Sequence, residues 1–443
     1  MSNRSEIIFR GGTILTVADD HRITTGDVAC RDGILVHVGG AYTPQTSHYD
    51  VIDCSGCIVM PGLVQAHTHL CQTLARGHAD DLELLDWLQQ VIWPYEGALD
   101  AAAMNASAEL GAAELLLGGT TAILDMASVH HTDAVFEAAL RSGLRATIGK
   151  AMMDAPDPII PASLRETTQA SLDESAALIT RWHGRDDGRL QYAYAPRFAL
   201  SCTDALLREV GRLARSKGVR IHTHGSENKN EIAEVQRRFG KENIAYLADC
   251  GIAGPHVGIA HCIHLSAAER TLLATTGTHV LHCPSSNLKL ASGICEVPEL
   301  LELGISVGIG ADGAPCNNNL DGFLELRLAA LLPKPRRGPR AMPASQAVQL
   351  ATMGGARALG LGAQIGSLEV GKRGDVIALS IDELHTIPAA NPYSIVAYAS
   401  KSSDVRHVAV DGAVVVRDRQ LLTLDISTVK RNAQQAARRL FRF

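Results

Sequence analysis

Five short stretches hold the residues whose types and spacing could do chemistry. The first, QAHTHLCQ, places His67 and His69 one residue apart at the end of an apolar run. Residues i and i+2 of a strand project to the same face, so the two imidazoles enter one space. Two neutral imidazoles converging in this way are half of a metal site. Further along, HTHGSE supplies His222, His224 and Glu227, and AHCIH supplies His261 and His264. HCPSSN supplies His282 and Asn287, and GADGAPCNN supplies Asp312. Histidines and carboxylates in such number suit a divalent ion that activates water, with a carboxyl group nearby to move protons. The H-E-x-x-H pattern and the zinc-binding P-C-x-x-C pattern are both absent. Any ligands must therefore come from separate parts of the chain.

Gathering them needs a scaffold that brings distant strand ends to one rim. The middle of the chain alternates apolar runs with amphipathic stretches such as AAAMNASAELGAAELLLGG and ASLDESAALITRWHG. Eight of the apolar runs read as strands: 62–69, 120–125, 145–154, 190–200, 219–227, 257–265, 279–287 and 306–314. Eight βα units imply an α/β fold, a (β/α)8 TIM-type barrel. Functional side chains in such barrels sit at the C-terminal strand ends. The five polar stretches fall at the ends of the first, fifth, sixth, seventh and eighth expected strands. One histidine so placed reads as a satisfied core residue; five coincidences at one rim read as a site. The remaining chain is β-rich at both ends, with Gly-Gly and Asp-Gly turns. Segments 1–60 and 366–443, the latter with a C-terminal helix, are expected to form a small β-sandwich module. The barrel would then span 61–365.

Composition narrows the class. The 443 residues are 46% apolar and 20% charged, as in a soluble globular enzyme. The net charge of −6 and the lack of any long basic run speak against nucleic acid. No apolar leader and no span of about 20 apolar residues is present, so the expectation is a cytoplasmic protein without a membrane partner. The ten cysteines are scattered through apolar runs, where free buried thiols are usual. Cys54 and Cys57 form a lone C-x-x-C with no second pair at zinc spacing.

Taken together, PGLVQAHTH, HTHGSE, AHCIH, HCPSSNLKL and GADGAPCNNNLDGF resemble the amidohydrolase superfamily, nearest its chlorohydrolase and cyclic-amidine deaminase branch. The resemblance implies one divalent ion per chain, zinc with iron as the alternative, held by His67, His69, His224 and Asp312. It also implies three catalytic groups. Glu227 would be the proton shuttle, His261 would face the water and the reacting carbon, and Asp312 would take the proton of the attacking water. Some relatives bridge two metals with a carboxylated lysine on the fourth strand. Lys150 lies on the third expected strand here, so a single ion is expected.

The implied reaction is hydrolytic removal of an exocyclic amino group from a nitrogen heteroaromatic ring, with release of ammonia. A triazine-type hydrolase is the alternative. Gln72, Arg197 and Phe198 resemble the base-holding residues of guanine deaminases. Arg197 could equally serve a structural ion pair. Trp87, in DDLELLDWLQQVIWPYE, and HCPSSNLKLASG resemble deaminases of 5′-deoxyadenosine, methylthioadenosine and S-adenosylhomocysteine. Leu85 stands where those enzymes carry a ribose-gripping glutamate. A leucine cannot accept hydrogen bonds from a sugar, which tilts the expectation toward a smaller ring or a free base. The partner is thus a small heteroaromatic molecule, and a homo-oligomer is expected by analogy alone.

Overall fold

The computed structural model describes residues 6–157 and 160–441. The N-terminal segment forms β1 (Glu6–Leu15), β2 (Ile23–Arg31), β3 (Ile34–Val38), β4 (Tyr49–Asp53) and β5 (Cys57–Pro61). The barrel follows as β6 (Leu63–Thr68), β7 (Thr120–Met126), β8 (Arg145–Gly149), a two-residue continuation β9 (Ala151–Met152), β10 (Leu190–Pro196), β11 (Arg220–Gly225), β12 (Val257–His261), β13 (His279–His282) and β14 (Val307–Ile309). The chain returns to the first sheet with β15 (Val376–Ser380), β16 (Val405–Val410), β17 (Ala413–Arg417) and β18 (Gln420–Leu421).

All barrel pairings are parallel and neighbours follow chain order. Helices cover the outer face and side chains fill the interior, so strands such as TTAILDM are buried at every position. Closure between β14 and β6 rests on a few contacts. Thr68 and Asp312 form a parallel bridge, the Asp312 amide donates to the His67 carbonyl at 3.0 Å, and the Ala311 amide donates to Gln65 Oε1 at 2.8 Å. Gly310 makes this approach possible: a Cβ there would lie 2.5 Å from the His67 carbonyl oxygen.

Both termini build one continuous sheet in the order β18–β17–β16–β15–β5–β1–β2–β3, with β4 on β1. β1 pairs with β4 along its first half and with β5 along its second, with a register shift between Phe9 and Gly12. The sheet thereby wraps its own core of Ile7, Phe9, Ile14, Val28, Leu35, Val59 and Val376. Arg145, at the start of β8, fastens this module to the barrel. Its guanidinium donates to both oxygens of Asp375 at 2.9 and 2.8 Å and to Asp411 at 3.3 Å, all buried. The C-terminal helix Ile426–Phe441 packs on the barrel helix Ala101–Leu117. All ten cysteines, Cys54 and Cys57 included, are buried, and none is in a disulfide among the described residues. No described helix is long and apolar enough to cross a membrane.

The expected strands begin where the observed ones do, within a residue, but six of them run too far. The fourth was expected to reach residue 200 and stops at Pro196. The fifth to eighth stop at Gly225, His261, His282 and Ile309 rather than at 227, 265, 287 and 314. The third breaks at Lys150 into β8 and β9. The overrun has one cause: residues beyond each strand end remain buried, so the apolar signal continues while the backbone turns. Ser226, His261, Cys262 and Asp312 all adopt left-handed backbone, with φ of 52°, 72°, 47° and 64°. Such conformations are uncommon for residues with a side chain and cluster at functional sites.

Candidate functional site

His67 and His69 leave the end of β6, and His224 sits near the end of β11. Their ring nitrogens lie within 4.8 Å of one another, and an overlapping set joins His67 with His261 and Asp312. The far nitrogen of each ring is committed. His69 Nδ1 donates to the Met126 carbonyl at 2.8 Å, and His224 Nδ1 donates to the Arg197 carbonyl at 2.7 Å. Each neutral ring therefore turns a lone pair inward from Nε2. These two Nε2 atoms face each other at 3.2 Å. Two lone pairs that close repel unless a cation lies between or beside them. His67 Nδ1 lies 2.6 Å from His222 Nε2, and its own Nε2 is buried without a hydrogen-bond partner. Burial holds His67 below the usual histidine range, His69 down to about 4, and His224 well below. Neutral imidazoles are what a metal requires, so the donor set fits a divalent ion.

Asp312 completes the floor. Its Oδ1 lies 3.2 Å from His67 Nε2 and 3.4 Å from His69 Nε2 and accepts from the Gly313 amide at 2.7 Å. Its Oδ2 accepts from the Ser286 hydroxyl at 2.6 Å. Opposite, Glu227 Oε2 lies 3.4 Å from His261 Nε2, which is 3.9 Å from Asp312 Oδ2. Burial and the charges of Asp312 and Glu231 push Glu227 well above the usual carboxylate range. Burial also acts to raise Asp312, but His67, His69 and His261 outweigh it and hold that carboxyl well below. Two carboxyls in one cavity, pushed in opposite directions, are an arrangement in which one can serve as acid and the other as base.

A cavity opens above them at the C-terminal rim of the barrel. Leu84, Trp87, Leu88, Phe198 and Leu290 give it apolar walls, while Arg197, Glu227 and Glu231 add charge. Trp87 and Phe198 therefore stand where the sequence expected substrate contacts. Arg197 reaches the cavity too, but its guanidinium donates to both oxygens of Glu96 at 2.7 and 3.1 Å, with both side chains buried. Gln72 is fully buried and is not among the lining residues; its amide donates to the same Glu96 at 2.8 Å. Leu85 does not line the cavity; its neighbours Leu84 and Trp87 do. The Lys150 amine is bound to Glu166 at 2.7 Å and joins no cluster of possible ligands. His264 donates to or accepts from nothing at this floor; its Nε2 meets the Ser292 carbonyl at 2.7 Å.

Glu96 went unread in the sequence. It lies in the short helix Trp93–Gly97, which reads as an ordinary amphipathic segment, 101 positions from Arg197. His222 was visible, but its contact with His67 was not, because i and i+2 spacing says nothing about which partner a ring meets. Glu231 was also missed. It accepts from the Glu227 amide at 2.9 Å and from Asn243 at 2.7 Å, which fixes the turn that carries Glu227.

Comparison with known proteins agrees with this geometry. The model of the Amidohydrolase family matches residues 58–415. A 5-methylthioadenosine/S-adenosylhomocysteine deaminase of Syntrophobacter fumaroxidans is 39% identical over 444 aligned residues, covering 99% of each chain. A 5′-deoxyadenosine deaminase of Methanothermobacter thermautotrophicus is likewise 39% identical, over 99% of this chain and 100% of the other. Among solved structures, a zinc-bound adenosine deaminase from Xanthomonas campestris superposes with a TM-score of 0.92 at 32% identity, over 99% of both chains.

Proposed function

The chain belongs to the amidohydrolase family and is a hydrolase acting on C–N bonds, and from that premise we propose that it deaminates an adenosine-like nucleoside with one zinc ion per chain. The observation that carries this reading is the placing of two buried carboxyls, Glu227 and Asp312, on either side of His261, beside a cluster of inward-facing histidine nitrogens. The names of full-length relatives support the nucleoside, as does a cavity whose walls are a tryptophan, a phenylalanine and three leucines. This replaces the tilt toward a smaller ring or a free base, which rested on Leu85 together with Gln72 and Arg197.

His67, His69, His224 and Asp312 would hold the ion. When bound, a divalent ion lowers the pKa of water so that hydroxide exists near neutral pH. Asp312 accepts the proton of the attacking water. Glu227 gives its proton to the ring nitrogen beside the amino-bearing carbon, which makes that carbon more electrophilic. His261, between the two carboxyls, stabilises the oxygen added at that carbon. The proton held on Asp312 then passes to the leaving amine, and as ammonia departs the added hydroxyl gives its remaining proton back to Glu227, which leaves a ring carbonyl and both carboxyls restored. The balance is one water consumed and one ammonia released per ring. Leu84, Trp87, Leu88, Phe198 and Leu290 exclude bulk water and offer flat apolar contact to the base.

The test is ammonia release by the zinc-loaded protein from 5′-deoxyadenosine, methylthioadenosine, S-adenosylhomocysteine, guanine and a chlorotriazine. The expected result is fastest turnover of an adenosine-like nucleoside. Turnover of guanine or the triazine alone would overturn the proposal.

A further inference from the structure

We propose that Ser286 and Asn287, carried by the helical turn Pro284–Lys289 that follows β13 and anchored by Glu325, are positioning residues that fix Asp312 and His261 relative to one another. The inference rests on the deaminase reading for its catalytic roles, but its geometry stands apart from it. Three consecutive residues face three different partners. The Ser285 amide donates to Glu325 Oε2 at 3.0 Å, and its hydroxyl donates to Glu325 Oε1. The Ser286 hydroxyl donates to Asp312 Oδ2 at 2.6 Å. Asn287 Oδ1 accepts from His261 Nδ1 at 2.8 Å. Ser286 and Asn287 are both buried.

Each contact removes a degree of freedom that the reaction cannot leave loose. Asp312 can rotate about its last side-chain bond. The Gly313 amide holds Oδ1 toward His67 and His69, and Ser286 holds Oδ2 toward His261. Without Ser286, Oδ2 has no donor on the turn and the carboxylate can swing away from the water it must deprotonate. The His261 ring can likewise flip or tilt, and the Asn287 bond ties down its Nδ1 side. That leaves Nε2 between Glu227 and Asp312.

Glu325 makes the two adjustments one. It is fully buried in the helix Gly322–Leu331 and, besides Ser285, accepts from Asn317 Nδ2 at 2.9 Å. The same Asn317 amide donates to the carbonyl of Ala311, the residue before Asp312, at 2.8 Å. One carboxyl group therefore grips both the turn that orients Asp312 from outside and the backbone that carries it. Misplacing a catalytic group by about 1 Å can cost roughly 100-fold in rate, so a clip of this kind controls turnover rather than substrate affinity.

The experiment uses the zinc-loaded full chain. Ser286→Ala, Asn287→Ala and Glu325→Gln are each measured for kcat, KM, zinc content and thermal midpoint. Ser286→Thr, which keeps the hydroxyl, serves as the rescue. Ser286→Ala and Asn287→Ala are expected to lower kcat about 10- to 100-fold, the usual scale for groups that orient metal-site residues. KM should stay within about threefold and zinc content near one per chain, as positioning rather than binding requires. Ser286→Thr should recover most of kcat. The low-field Nδ1 proton resonance of His261, assigned through imidazole nitrogen labelling, should disappear in Asn287→Ala and persist in Ser286→Ala. Should Glu325→Gln fail to fold, the other two variants still decide the matter. Unchanged kcat in both, or a kcat loss matched by loss of zinc or of folded protein, would overturn the proposal. Failure of the deaminase reading would look different: the unmodified protein itself would release no ammonia from any nucleoside.

Discussion

Two buried arginine–carboxylate pairs sit at opposite ends of the barrel. At the C-terminal rim Arg197 grips Glu96 with two nitrogens, and at the other end Arg145 grips Asp375 in the same way. Both are bidentate, both are almost wholly excluded from water, and both join segments far apart in sequence. Their surroundings differ. Around Arg145 the carboxylates are met from several sides: the Asp411 amide donates to Asp375, and Arg373 reaches Asp411. Around Arg197 lie buried polar atoms with no hydrogen-bond partner, among them His67 Nε2, Gln72 Oε1, His222 Nδ1 and Glu227 Oε1. A closed network spends its polarity on holding two parts together. A network ringed by unmet donors and acceptors is waiting for something from outside. The same interaction thus serves stability at one end of a barrel and chemistry at the other.

The largest expected effect removes the inward-facing histidine nitrogens that lie beside those unmet atoms. His69→Ala and His224→Ala should lose bound metal and all measurable turnover together, as a site of three histidines and a carboxylate requires. Metal analysis by mass spectrometry checks this, and full activity in a metal-free variant would erase the contrast between the two ends. Next, Glu227→Gln should keep its metal while kcat falls roughly 10²–10⁴-fold, the usual scale of acid–base help. The sign with pH follows from the raised pKa of Glu227. Its acid form is present below that pKa and is lost as pH rises through it. Activity of the unmodified enzyme should therefore decline on the alkaline side, and a pH series on the glutamine variant should lack that limb.

A smaller effect comes from the rim pair. Glu96→Gln leaves the Arg197 charge buried without its partner, an arrangement that costs about 3–5 kcal/mol when a buried pair is broken. Because the Arg197 carbonyl also orients His224, kcat/KM should fall about 10- to 100-fold as well. Asp375→Asn at the opposite end should cost a similar 3 kcal/mol or so in denaturant melts. Its kcat should stay within about twofold of the unmodified enzyme, since no group near the cavity depends on it. If Asp375→Asn slowed turnover as much as Glu96→Gln, the division of labour between the two ends would be wrong.

The sequence made some of this legible and hid the rest for physical reasons. Buried parallel strands are apolar on both faces, so the starts of β11 or β12 stand out against polar turns. Their ends do not, because the turns after them are also buried and use Ser226, His261 and Cys262 in left-handed backbone instead of glycine or proline. His67 and His69 were readable because one strand supplies both. Glu96 was not, because nothing in a short helix announces a partner on another strand end. Leu85 shows a related limit of motif spacing. It occupies the expected position in the motif, but a helix that starts at Leu84 turns its neighbours Leu84 and Trp87 toward the cavity.

The bridge between Thr68 and Asp312 has a consequence for how the molecule is assembled. The chain must run through every βα unit before its last strand meets its first, and Ala311 reaches back 246 positions to Gln65. An ion held as proposed, by His67 and His69 on one side and Asp312 on the other, would rivet that hoop shut. Arming the enzyme and finishing its fold would then be a single event. Binding of the ion to the closed form alone adds RT ln(1 + [ion]/Kd) to the stability of the whole barrel. Stripping the ion should loosen the hoop at this joint first, with amide exchange at Asp312 quickening before exchange in β10 or β11, while Arg145 keeps the far end fastened.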